Sequence, residues 1–143
     1  MTKRATKLPS RRPALPRVSE EVRVISEFLL NELLSWPKTS AKPMFGLRAV
    51  YHGPAIFGAL PVTRALDTSC SVSFKLQVKT PATLKLLEAD DRIVTSELKM
   101  ANWISFEIRS DRDIPDAIEW FARAYEQAGK AGPAKSKRPA TRR

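Results

Sequence analysis

A strand that runs directly into an amphipathic helix, over residues 103–127, is the feature that most constrains this chain. Residues 103–108 read Trp-Ile-Ser-Phe-Glu-Ile, and this strict alternation predicts a half-buried antiparallel strand. Asp113 then offers an N-cap, with Pro115 in the first turn and Asp116 in the capping-box position. Apolar residues follow at helical spacing: Ile114, Ile118, Phe121 and Tyr125. One face of the strand must bury one face of the helix, which predicts an α+β layer.

The N-terminal half predicts a helix and a hairpin. Ser19 caps the helix, and Pro37 ends it. Its apolar stripe is Val22, Ile25, Leu29 and Leu33. The hairpin joins strands at 45–51 and 55–60 through a His-Gly-Pro turn at 52–54.

The middle of the chain predicts a strand, a short helix and another strand. Val72, Phe74, Leu76 and Val78 alternate with polar residues and are expected to point inward. A short helix begins near Pro81 and ends at Asp90-Asp91, and residues 92–96 are expected to pair with 103–108. The predicted order is therefore αβββαββα, and the fold class is α+β with helices packed on one face of an antiparallel sheet.

Positive charge is concentrated at the two ends of the chain. The formal net charge is +10, yet residues 1–17 and residues 130–143 carry +6 each with no acid. The segment between them has a net charge of −2, so the folded part is close to neutral. Both ends are rich in Pro, Ala, Ser and Thr and lack aromatic residues. We therefore predict a single domain over 18–129, flanked by disordered basic arms over 1–17 and 130–143.

Basic arms of this kind bind phosphate backbones through counterion release, without sequence preference. A solubilising role is the alternative. The candidate phosphate-binding residues in the arms are Arg11, Arg12, Arg17, Lys135, Lys137, Arg138, Arg142 and Arg143.

The polar face of the sheet is a second candidate surface for nucleic acid. The alternation places Lys75, Gln77, Lys79, Trp103 and Ser105 on that face. Lysines beside an exposed aromatic ring are typical of surfaces that bind single strands, so Lys75, Lys79 and Trp103 are candidate binding residues. An ordinary solvated face, with Trp103 packed under a loop, is the alternative.

Catalytic and metal chemistry receive little support from the sequence. His52 is the only histidine and Cys70 the only cysteine. A Cys–His dyad stays open, but no third group is visible to orient it. No cluster suggests a metal site, no glycine-rich phosphate loop occurs, and we predict no cofactor. With no apolar run of signal-peptide or membrane-spanning length, we expect a cytoplasmic protein with no membrane contact.

Several short motifs resemble known families. Met44-Phe45-Gly46, Tyr51-His52-Gly53, Ile56-Phe57 and Phe74-Lys75 resemble the N-terminal domain of TfoX-type competence regulators. The ending, Trp103-Ile104-Ser105-Phe106 with a helix closing on Ala124-Tyr125, is similar to the MmcQ/YjbR group. The resemblance covers residues 19–128 and implies a frataxin-like, double-wing α+β fold. Members are proposed DNA-binding or regulatory proteins without an established catalytic set.

These observations together favour a non-enzymatic, nucleic-acid-associated or regulatory protein whose partner is DNA or RNA. The alternative is a small-molecule-binding or enzymatic domain that uses the sheet face or the His52 loop. An exposed surface of basic and aromatic residues would favour the first. Convergence of His52, Cys70 and a carboxylate in a closed pocket would favour the second.

Overall fold

Five antiparallel strands form one sheet whose spatial order follows the chain. The computed structural model describes residues 18–131. The strands are β1 (Thr39–Met44), β2 (Leu47–His52), β3 (Ala55–Pro61), β4 (Ser71–Lys75) and β5 (Trp103–Glu107), in the order β1-β2-β3-β4-β5. The helices are α1 (Glu20–Leu34), α2 (Pro81–Ala89) and α3 (Ile114–Ala131). The predicted α+β class, with helices on one face of an antiparallel sheet, is confirmed. None of the helices within residues 18–131 is long and apolar enough to cross a membrane.

The observed order is αββββαβα, which differs from the prediction at two strands. β1 was not predicted, and it pairs along its whole length with β2. The predicted strand over 92–96 is reduced to a single bridge between Ile93 and Phe106 beside β5. Two backbone hydrogen bonds flank that bridge, from Val94 N to Ser105 O and from Glu107 N to Arg92 O.

The strand β4 is shorter than predicted because the backbone after it bonds to α3. It ends at Lys75, and the Gln127 amide oxygen then accepts from the backbone amides of Gln77 and Val78, at 3.0 and 3.2 Å. Val78, expected to point inward, is 66% exposed. Leu76 remains fully buried, so the alternation holds only up to that residue.

One of the two predicted helix caps is observed and the other is not. Ser19 caps α1 by accepting from Val22 N, as predicted. The predicted cap of α3 at Asp113 is wrong, because the chain already turns at Ser110, which caps a 3₁₀ turn over Asp111–Asp113. Asp113 completes the capping box by accepting from the Ser110 amide, and the turn continues directly into α3.

A core of large side chains lies between the sheet and the helices. Phe57, Phe74, Phe106 and Phe121 are fully buried there, along with aliphatic residues of all three helices. Val50 pairs with Gly58 and Tyr51 with Ile56, so Phe57 is the extra residue of a β-bulge. Phe57 packs against the aromatic rings of Trp36 and Tyr125 on the helix side. The bulge therefore places the Phe57 ring in contact with Tyr125 near the end of α3.

Candidate nucleic-acid interface

The helix-free face of the sheet has a row of small residues at its centre. The strand register aligns Ala49, Ala59, Ser73 and Ser105 across β2 to β5, and all four are buried. The Ser73 and Ser105 hydroxyls are 2.9 Å apart, and Ser105 also donates to the carboxylate of Asp67 in the loop between β3 and β4. The expectation that Ser105 faces solvent is therefore wrong. It is 2% exposed because that loop brings a hydrogen-bond partner over it.

Lys75 and Trp103 lie together at one end of this face, as the sequence predicted. They are register partners across β4 and β5, on the same side as Ser73 and Ser105. Trp103 is 37% exposed and Lys75 is half-buried, so both can contact a ligand from solvent.

A second pair of cationic and aromatic side chains lies across the sheet. The Lys42 ammonium of β1 is 5.3 Å from the centre of the Tyr51 ring on β2, at a distance typical of a cation–π contact. Ile56 is the register partner of Tyr51 and shares its face. Lys42 was missed because β1 was not predicted. Tyr51 and Ile56 lie in the predicted hairpin, where the alternation Ala49-Val50-Tyr51 carried a signal for Tyr51. We call Lys42, Tyr51, Ile56, Lys75 and Trp103 the platform.

The platform spans three strand separations between its two aromatic rings. At about 4.8 Å per separation, Tyr51 and Trp103 are about 14 Å apart across the sheet. Its titratable side chains are two lysines and a tyrosine, with no carboxylate among the five residues. These five residues are therefore apolar or cationic, and the Asp67 carboxylate on the same face is bonded to the Ser105 hydroxyl.

Lys79 and Gln77 do not join the platform. The Lys79 ammonium donates to the carbonyls of Leu76 and Ala101, at 3.1 and 2.6 Å. These bonds tie the end of β4 to the segment that precedes β5. Gln77 lies beyond the end of β4, where its backbone amide donates to the side-chain oxygen of Gln127 in α3. Lys79 thus fastens two loops, and its donors face carbonyls rather than the open sheet.

His52 and Cys70 lie at opposite ends of the sheet. β2 and β4 run in the same direction, and His52 ends β2 whereas Cys70 precedes β4. The His52 ring stacks on Tyr125 at 3.9 Å, and its Nδ1 is 2.8 Å from the Tyr125 carbonyl oxygen. Gly129 leaves room for this ring, since a Cβ there would lie 2.5 Å from His52 Cε1. His52 therefore anchors the end of α3 and forms no dyad with Cys70.

Arg92 connects α2, β5 and α3 through two partly buried ion pairs and a third with the exposed Asp116. Its guanidinium bonds to Asp90, Asp113 and Asp116 at 2.7–3.0 Å and lies 4.7 Å from the Phe106 ring centre. The hydrogen bond from Arg92 holds the pKa of Asp90 below its usual value. Burial alone would raise the pKa of Asp113, but hydrogen bonds from Arg92 and from backbone amides outweigh it and lower that pKa. These charges satisfy one another, which is the arrangement of a structural network.

Within residues 18–131, no group of three or more His, Cys, Asp or Glu side chains is arranged so that it could hold a metal ion.

The candidate residues of the arms lie outside the described residues. They are Arg11, Arg12, Arg17, Lys135, Lys137, Arg138, Arg142 and Arg143. Lys130, which the sequence assigned to the C-terminal arm, is part of α3.

Comparisons with protein-family models, with curated proteins and with solved structures found no match for this chain. The resemblance to TfoX-type and MmcQ/YjbR-like domains therefore stays a prediction.

Proposed function

We propose that this protein is a non-enzymatic, nucleic-acid-associated protein that holds single-stranded DNA or RNA on the platform while its basic arms contact phosphates. One observation carries the proposal: each end of the platform combines an ammonium group with an aromatic ring, on the side of the sheet away from the helices. Lys75 faces Trp103 across β4 and β5, and Lys42 lies over Tyr51 across β1 and β2. Aromatic rings stack on bases, and lysines beside them neutralise the adjoining phosphates.

The spacing of the two rings suits a short single strand. A stacked strand advances about 3.4 Å per nucleotide, so a separation of about 14 Å corresponds to roughly four nucleotides. Base stacking on an aromatic side chain contributes about 1–3 kcal/mol per base and accepts every base. We therefore expect binding with little sequence preference.

The arms supply the electrostatic part of the affinity. Residues 1–17 carry +6 and residues 132–143 carry +5, whereas residues 18–131 carry −1, so the long-range attraction for phosphate comes from the ends of the chain. Each phosphate neutralised on a single strand contributes about −0.7 to the slope of log affinity against log salt. Stacking contributes nothing to that slope, which makes the two terms separable by experiment.

The test uses the full-length chain, a fluorescently labelled oligothymidylate and a labelled duplex, each over a salt series. Tyr51→Ala and Trp103→Ala should each weaken single-strand binding about 5- to 150-fold, the equivalent of about 1–3 kcal/mol, with the salt slope unchanged. Lys42→Ala and Lys75→Ala should each reduce the slope by up to about 0.7. Phe45→Ala is the matched control, because Phe45 is an aromatic residue 80% exposed outside the platform.

Two results would count against this function. Single-strand affinity that falls no further in Tyr51→Ala and Trp103→Ala than in Phe45→Ala would remove the platform as the binding surface. Absence of binding to any nucleic acid at low salt by the full-length chain would remove the proposal as a whole.

A further inference from the structure

An apolar groove opens beside the start of α1, at the end of the sheet away from His52. Val22 and Ile25 of α1 line one side of it, and Cys70 and Ile108 line the other. Val24, also on the groove, is 57% exposed. An apolar surface of this kind is a candidate docking site.

The rim of the groove is acidic. Glu21 and Asp111 are exposed there, as is Glu20, which shares a 3.5 Å surface pair with Arg23. Arg109 also lines the groove, but its guanidinium is bound to Asp91 and Glu107. The groove therefore fits an extended segment that combines an apolar side chain with cationic ones.

The chain itself supplies a segment with that composition at this place. The described part begins at Val18, next to the groove, and residues 11–17 read Arg-Arg-Pro-Ala-Leu-Pro-Arg. Seven residues reach at most about 25 Å, which is enough to fold back across the start of α1. A short tether also raises the local concentration of the segment to the millimolar range, so weak contacts suffice.

We propose that residues 11–17 dock back into this groove, with Leu15 on the apolar floor and the three arginines toward the acidic rim. The docked arginines are the ones that the N-terminal arm offers to phosphate, so docking would compete with phosphate binding. That competition rests on the proposed function. The docking itself does not, because it depends only on the groove and on the sequence of the arm.

Cys70 is a built-in reporter, since it is the only cysteine in the chain and lines the groove. Its rate of reaction with a thiol reagent is measured in the full-length protein at low salt. Replacing Arg11, Arg12 and Arg17 together by Gln should raise the rate roughly fivefold, which corresponds to an arm docked about four-fifths of the time. The matched control replaces Arg138, Arg142 and Arg143 by Gln, which makes the same change in net charge, and it should leave the rate unchanged. High salt should remove the difference.

The rim is tested in the same way. Glu21→Gln with Asp111→Asn should raise Cys70 reactivity, whereas neutralising Glu88 and Glu126, which are exposed acids away from the groove, should not. In a Leu15→Cys chain, mild oxidation should give a disulfide with Cys70 within one chain. Equal Cys70 rates in the two arginine variants would overturn the proposal. Cross-links found only between chains would also overturn it, and would assign the groove to the arm of a second copy. None of these measurements contains nucleic acid, so their failure leaves the platform untouched.

Discussion

Gly58→Ala tests how closely α3 lies on the sheet. A Cβ at Gly58 would lie 2.8 Å from Phe121 Cε1 and 3.1 Å from Cδ1, and the Phe121 ring is fully buried against Phe74. The ring cannot swing into solvent, so either the ring or the helix must shift. Overpacking of this kind costs about 1–3 kcal/mol. The lower backbone entropy of alanine offsets about 0.5–1 kcal/mol of it, so we expect a net loss of about 1–2 kcal/mol.

The measurement is urea unfolding of the full-length protein, followed by circular dichroism. Phe121→Leu removes the atoms that clash, so the two substitutions should not be additive. The double variant should be more stable, by about 1 kcal/mol, than the sum of the single losses implies. Additive losses, or a Gly58→Ala protein as stable as the parent, would refute the packing of α3 on β3 described above.

Three further predictions concern the network, the sheet and the end of α3. Arg92→Met should cost about 2 kcal/mol, because it leaves the partly buried carboxylates of Asp90 and Asp113 without their charged partner, and Arg109→Gln at an exposed pair should cost much less. Asp90 and Asp113 have lowered pKa values in the folded state, so their contribution to the free energy of unfolding is complete above about pH 4 and is lost as the pH falls through those folded-state values. Below about pH 4 the free energy of unfolding of Arg92→Met should therefore fall less steeply than that of the parent. An unchanged dependence on pH would contradict this. Phe106→Ala should cost about 3–5 kcal/mol and Ser105→Ala about 1–2 kcal/mol in urea unfolding, and equal losses would contradict the assigned faces. His52→Ala should reduce amide-exchange protection in the last turns of α3, and unchanged protection would mean that the ring does not anchor the helix.

Regular periodicity explains what the sequence could predict. The stripe of α1 and the alternation of β5 each bury one face, so their apolar residues repeat with the period of the element. β1 carries no such pattern, since its sequence is Thr-Ser-Ala-Lys-Pro-Met and it lies at the sheet edge. Pro43 is tolerated there because an edge strand need not donate on both sides. Without β1, the position of Lys42 over Tyr51 could not be predicted.

Long-range hydrogen bonds explain what the sequence could not predict. Ser105 alternates like a solvent-facing residue, but its hydroxyl is bonded to Ser73 and Asp67, which lie 32 and 38 residues away. Lys79 reads as part of a polar face, yet its ammonium binds Ala101 O, which is 22 residues away. Local alternation gives the direction of a side chain but not the partner that covers it.

The simple strand order has a consequence for folding. Every strand pairs with its neighbour along the chain, and β1, β2 and β3 are joined by two turns of two residues each. Closing such short loops costs little chain entropy, so these three strands can pair before the rest of the molecule is ordered. The pairing of β4 with β5 must wait for the 27 residues between them to be closed into a loop that contains α2. We therefore expect the first three strands to form the folding nucleus and β5 to join late, with substitutions in β5 changing the unfolding rate more than the folding rate.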